Sequence, residues 1–204
     1  MAGKRQRTAP APGFLFVAGN PALDFVNTRP MLRAQPTELL KDFADVLRWF
    51  VAAQFLDRTS SAKFRKRWAD SPEALASLRQ LLGFREQLRR QILALESQKA
   101  VSKKTLSYLN RLLAGHPLPA RLVLFKGTLR REHRFQPRKP EDLLAPLLHA
   151  AAEMFTSFDP RRLRQCESCF LHFHDTTKNT ARRWCSMKLC GNRAKVAKYA
   201  ARHR

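Results

Sequence analysis

The sequence predicts an α+β protein: a mainly helical N-terminal domain with a few short strands, including a β-hairpin, followed by a small four-cysteine module that ends in a basic helix. Three observations carry this expectation. Apolar residues recur at three- and four-residue steps over several long stretches, the pattern of helices with one buried face. Two apolar runs flank Lys126-Gly127 as the strands of a hairpin would. All four cysteines fall between positions 166 and 190, which suits one local site better than a chain-wide disulfide scaffold.

The elements follow in order. Residues 1–12 mix Lys4, Arg5 and Arg7 with prolines and read as a disordered basic tail. Phe14 to Val17, ahead of Gly19-Asn20-Pro21, reads as a short strand ending in a turn, and Leu23 to Thr28 forms a second short segment. Thr37 is placed to cap a helix reaching about Phe55, because Leu39, Leu40, Phe43, Val46, Leu47 and Phe50 share one face. Ser71-Pro72-Glu73 opens another helix towards Ser97, with Pro at the first helical position. A shorter helix over 102–114 stops at Gly115. The hairpin takes up 121–125 and 129–135, and Pro140-Glu141-Asp142 begins a last helix through Leu147 and Phe155 that stops at Phe158-Asp159-Pro160. The expected organisation is therefore a tail of residues 1–12, a helical domain of 13–159 and a cysteine module of 160–204.

With 39 Lys and Arg against 16 Asp and Glu, the formal net charge is +23. Self-repulsion of that size opposes compaction, so a polyanionic partner is the natural explanation, nucleic acid before a membrane surface. No run of eighteen apolar residues could span a bilayer, and the N-terminus lacks the apolar run of a secretory signal. A cytoplasmic, nucleoid-associated location is expected, where thiols stay reduced.

The cysteines stand as Cys166-x2-Cys169-x15-Cys185-x4-Cys190. Each close pair supplies two thiolates from one turn and the loop brings the pairs together, which is what a tetrahedral zinc site needs. His172 and His174 could in principle replace a cysteine, but with four thiolates present they read as spare. A redox pair or an iron–sulfur cluster would leave the second pair beside so many arginines unexplained. A closed four-thiolate site leaves no coordination position for substrate, so the Zn2+ is expected to be structural. Asp24, Glu38, Asp42 and Asp45 show no ligand or nucleophile–base arrangement, and no enzyme is expected.

Around the cysteines lie Lys178, Arg182, Arg183, Arg193, Lys195, Lys198 and Arg202. A charge run is usually only a solvated face, but here the whole-chain charge and the metal anchor point the same way, to nucleic-acid contact. In the last helix, Val196, Ala197, Ala200 and Ala201 are expected to face inward and the cations outward. Trp184 and Phe173 should pack on the metal knuckle, and Asp175 should hold the loop or pair with Arg182 or Arg183. Asp24, Asn27 and Thr28 read as turn and capping residues rather than as a pocket lining.

The run Trp184-Cys185-Ser186-Met187-x2-Cys190-Gly191-Asn192-Arg193, with Cys166-x2-Cys169-x3-Phe173-x-Asp175 ahead of it, resembles the CGNR zinc finger over about forty residues. Ala22-Leu23-Asp24-Phe25-Val26-Asn27-Thr28, followed by the helix bearing Trp49, resembles the start of an ABATE domain. The resemblance implies four zinc ligands, a DNA-binding finger and a stress-induced transcription regulator of bacteria. The first expectation is thus a regulator whose finger holds duplex DNA while the N-terminal domain dimerises or senses a signal. The alternatives are an RNA-binding or ribosome-associated protein, and an N-terminal enzyme targeted to nucleic acid by the finger.

Overall fold

The computed structural model describes residues 13–32, 35–133 and 135–202, and the basic tail of residues 1–12 lies outside them. Helix α1 (Pro21–Val26) is capped by Asn20, whose Oδ1 accepts from Ala22 N at 2.8 Å and Leu23 N at 3.3 Å. The segment 14–17 is not the expected strand. The N–H groups of Val17 and Ala18 both donate to Asp24 Oδ1 at 2.9 Å, so a side chain takes the place of a strand partner.

Thr37 does not begin a helix. Its N–H bonds the Pro30 carbonyl and Leu39 N–H bonds that of Thr28, which brings residues 35–40 back alongside 28–32, with the short strands β1 (Met31–Leu32) and β2 (Gln35–Pro36) paired antiparallel. Helix α2 (Phe43–Ala52) starts instead from Asp42, whose carboxylate accepts from Asp45 N at 2.7 Å. It stops short of Phe55 because Gln54 turns to φ 64 and the N–H groups of Phe55 and Leu56 both close on the Phe50 carbonyl.

Helix α3 (Arg58–Trp68), capped by Asp57, has no counterpart in the sequence reading: none of its residues is fully buried and only Phe64 and Trp68 meet the core, too few to mark a stripe. Helix α4 (Pro72–Glu96) runs as expected between Ser71 and Ser97, and α5 (Lys103–Gly115) starts from the cap Ser102. Strands β3 (Ala120–Phe125) and β4 (Thr128–His133) form the antiparallel hairpin, with Lys126 and Gly127 both at positive φ as the tight turn requires. After a 3-10 turn over Pro140–Leu143, α6 (Leu144–Ser157) completes the domain.

The core lies between α1, α2, α4 and α6. Leu23, Phe25 and Val26 of α1 are fully buried among Leu81, Phe84 and Ile92 of α4 and Leu147 and Ala151 of α6. Trp49 closes the α2 side, edge-on to Phe25 and Phe50 at centroid distances of 5.0 and 5.5 Å. A charged group sits inside this core: Arg85, 2% exposed, forks onto both carboxylate oxygens of Glu38 at 2.8 and 2.5 Å and donates to Thr28 Oγ1 at 3.0 Å. That fork ties the 28–40 segment to α4. Burial alone would raise the Glu38 carboxyl, but the hydrogen bonds from Arg85 and Leu40 and the Arg85 charge hold it below its ordinary value. No helix among the described residues is long and apolar enough to cross a membrane.

Candidate metal centre

The C-terminal module is built on two short strands, β5 (Leu163–Gln165) and β6 (His172–His174), paired antiparallel with Leu163 opposite His174. Between them Cys166 and Cys169 sit on a tight knuckle. Cys166 N–H donates to the Leu171 carbonyl, and Phe170, at φ 59, returns its N–H to the Cys166 carbonyl, both at 2.9 Å. The second pair lies on another turn: the Ser186 carbonyl accepts from Cys190 N at 2.9 Å and Gly191 N at 3.1 Å, and α7 (Asn192–Arg202) springs directly from it.

The four sulfurs converge, every pair within 4.8 Å. Cys169 and Cys185 Sγ are 3.5 Å apart, and Cys185 and Cys190 Sγ 3.8 Å. A tetrahedral zinc with about 2.3 Å to each thiolate would set its sulfurs about 3.8 Å apart, so the donor set fits such an ion. Cys166, Cys185 and Cys190 are buried and Cys169 half-buried. Crowding sets the thiols against one another. A hydrogen bond from Cys185 pulls Cys169 down to about 5, the same contact drives Cys185 well up, and burial raises Cys190. A cation is what allows all four to be thiolates at once.

Neither histidine joins the cluster. His172, wholly buried, lies with Nδ1 2.8 Å from Glu96 Oε1 on α4. His174 stacks on Phe158 with ring centroids 3.9 Å apart, and burial first, then the Arg162 charge, lowers its pKa.

The cations divide into two kinds. Arg182 is turned inward: its Nε donates to the Trp184 carbonyl at 2.9 Å, its Nη2 to the Cys185 carbonyl, and its guanidinium covers the Phe173 ring at 4.6 Å. Its backbone N–H meets Asp175, a fully buried carboxylate that also accepts from Thr177 N and Oγ1. Asp175 and Arg182 thereby bind the two halves of the module together, and those hydrogen bonds keep Asp175 ionised despite burial. Arg193 reaches back to Cys190 Sγ at 3.3 Å, a donor to a ligand sulfur. Arg183 forks onto Glu167 at 2.7 and 2.5 Å, out in solvent.

Lys178 and Lys195 are exposed, and among the described residues neither lies within ion-pair distance of a carboxylate. The side chains of Lys198 and Arg202 lie outside the described set. Helix α7 does not fold its apolar side inward as expected. Val196 is 68% exposed, and Ala197, Ala200 and Ala201 are exposed too, because the helix packs chiefly against the turn from which it springs. Beside that turn, the 177–187 loop and the chain at Val17 and Gly19 enclose an open groove of about 800 Å³ whose lining includes Lys178, Arg183 and Trp184.

The sequence reading missed the residues that seat this module on the helical domain. Asn27 Nδ2 donates to the His172 carbonyl and Asn27 Oδ1 accepts from His172 N–H, both at 2.8 Å. Leu163 joins the main core. Asp24 and Thr28 bond local backbone, as expected, but Thr28 Oγ1 also accepts from Arg85 and Asn27 holds His172, distant tasks for which nothing in neighbouring sequence is a signal.

A family model described as "Putative stress-induced transcription regulator", ABATE, matches residues 19–157, and the CGNR zinc finger model matches residues 162–203. Comparison with curated proteins gave no match. The first match spans the helical domain and the second contains all four cysteines: the chain belongs to the ABATE family and carries a CGNR zinc finger after that domain.

Proposed function

We propose that this protein is a zinc-dependent, DNA-binding transcription regulator, acting in the cytoplasm on the nucleoid, with no enzymatic step of its own. The observation that carries the reading is the four-sulfur cluster at the foot of α7: Cys190 is in the cluster, and the helix starts two residues later. In this reading zinc orders the finger, which is too small to order itself by apolar burial, and holds out a basic helix on which Lys195, Val196, Ala197, Ala200 and Ala201 are exposed. Lys178, Arg183, Arg193 and Lys195, with Lys198 and Arg202 further along, meet the duplex, while Arg182 keeps their platform in shape. The net charge of +23 supports a phosphate partner. The helical domain senses a signal or dimerises.

The test is retention of random duplex DNA against structured RNA by the zinc-loaded protein at near-physiological salt, with sequencing of what is kept. An enriched duplex motif is expected. Retention of RNA in preference, or of duplex without a motif, overturns sequence-specific regulation.

A further inference from the structure

A second cavity, of about 650 Å³, lies in the helical domain, a size that suits a small organic molecule. One wall is a face of α3: Ser60, Lys63, Phe64, Arg67 and Trp68 follow at three- and four-residue steps. Phe135 to Arg138, the chain leaving β4, make the opposite wall, and Phe55 contributes from the turn after α2. The face that α3 turns towards the domain borders this space and meets the core only through the half-buried Phe64 and Trp68, so no residue of the helix is fully buried.

The chemistry of this wall is uneven. Phe55, Phe64, Trp68 and Phe135 give it aromatic surface, and Phe64 and Phe135 are held by Phe43 and Phe50 at centroid distances of 6.3 Å. Lys63, Arg67 and Arg138 are three cations, and among the described residues none is within ion-pair distance of a carboxylate. The single acid on the wall, Asp57, is already committed: its carboxylate caps α3, accepting from Ser60 N at 2.8 Å and Ser60 Oγ at 2.6 Å. Arg67 lies over the Trp68 ring at 4.9 Å, and Trp68 Nε1 is a buried donor with no acceptor among the described residues. Aromatic walls, surplus positive charge and an unmet donor are complementary to one kind of molecule.

We infer that this cavity binds a small amphipathic organic anion, with a flat aromatic body among Phe55, Phe64, Trp68 and Phe135 and a carboxylate-like end met by Lys63, Arg67 and Arg138. The cavity would be the sensing site of the helical domain. The inference needs no DNA contact by the finger, so it stands or falls separately from the reading above.

The experiment is calorimetric titration of the full, metal-loaded protein with 2-naphthoate, with its neutral isostere 2-naphthalenemethanol, and with acetate. Saturable naphthoate binding is expected, at least about tenfold tighter than the alcohol and acetate, and weakened about tenfold or more in Lys63→Ala/Arg138→Ala. Naphthoate should also change tryptophan fluorescence in wild type and not in Trp68→Phe. Equal binding of the alcohol, unchanged binding in the double variant, a fluorescence change that persists in Trp68→Phe, or no saturation at millimolar probe would each overturn the proposal.

Discussion

The side-chain amide of Asn27 pairs with both backbone groups of His172, donating to its carbonyl and accepting from its N–H at 2.8 Å each. An amide set this way acts as one residue of an added strand, laid on the outer edge of β6 by the end of α1. With the contact between buried His172 and half-buried Glu96 it joins the finger to α1 and α4 through polar groups largely shielded from water.

Asn27→Ala should therefore leave two buried backbone groups unpaired and destabilise the finger on the domain by about 2–4 kcal/mol. Thermal unfolding measures the loss, and faster hydrogen exchange at the His172 amide locates it. An unchanged melting temperature would mean that the pairing contributes nothing net.

The metal prediction rests on sulfur convergence. Wild type should retain about one zinc per chain, and Cys166→Ser or Cys190→Ser should lose it. A strong chelator should unfold the finger while the helical domain, whose core is separate from the cysteine cluster, keeps its circular dichroism. Full metal retention in either variant would break the ligand set.

Much of this architecture is legible in the sequence, and the misreadings share a cause. Helix α4 announces itself because Ser71-Pro72 caps it and Leu78, Leu88, Ile92 and Leu95 return to one face; the cysteine spacing is equally local. Phe14–Val17 read as a strand because its composition is right, yet the carboxylate that satisfies it comes from Asp24. Thr37 read as a cap because the pull of Pro30 and Thr28 on that segment is tertiary. Lys178 and Arg182 look alike in a charge count, and only the fold separates an exposed ammonium from a guanidinium spent on two carbonyls.

The Arg85–Glu38 fork predicts a pH dependence. The Glu38 carboxyl titrates lower in the folded protein than its ordinary value near 4.5, so its contribution is complete above that value and is lost as pH falls through the depressed one. Glu38→Gln should cost about 2 kcal/mol at neutral pH, because Arg85 keeps its bond to Thr28 Oγ1 but only the longer ion pair with Glu86, and should flatten the acid limb of the stability curve. Urea denaturation at neutral pH and at pH values below the carboxylate range compares the two proteins; parallel acid limbs would remove Glu38 from the account.

Separating the cations by role yields a contrast between two variants. Lys178→Ala/Lys195→Ala removes two exposed ammonium groups that hold nothing in the fold, so melting temperature and zinc content should not move. If both lysines neutralise phosphates, duplex affinity falls and the slope of log K against log salt becomes shallower by about 1.8, two contacts at about 0.9 each. Arg182→Ala should do the reverse in order: the carbonyls of Trp184 and Cys185 lose their donor and Phe173 its cover, so stability and metal retention fall first and DNA binding only with them. Binding measured over a salt series, with zinc content and melting temperature on the same samples, distinguishes the two. A double-lysine variant with an unaltered salt slope would move the nucleic-acid contact away from this surface, whatever became of Arg182.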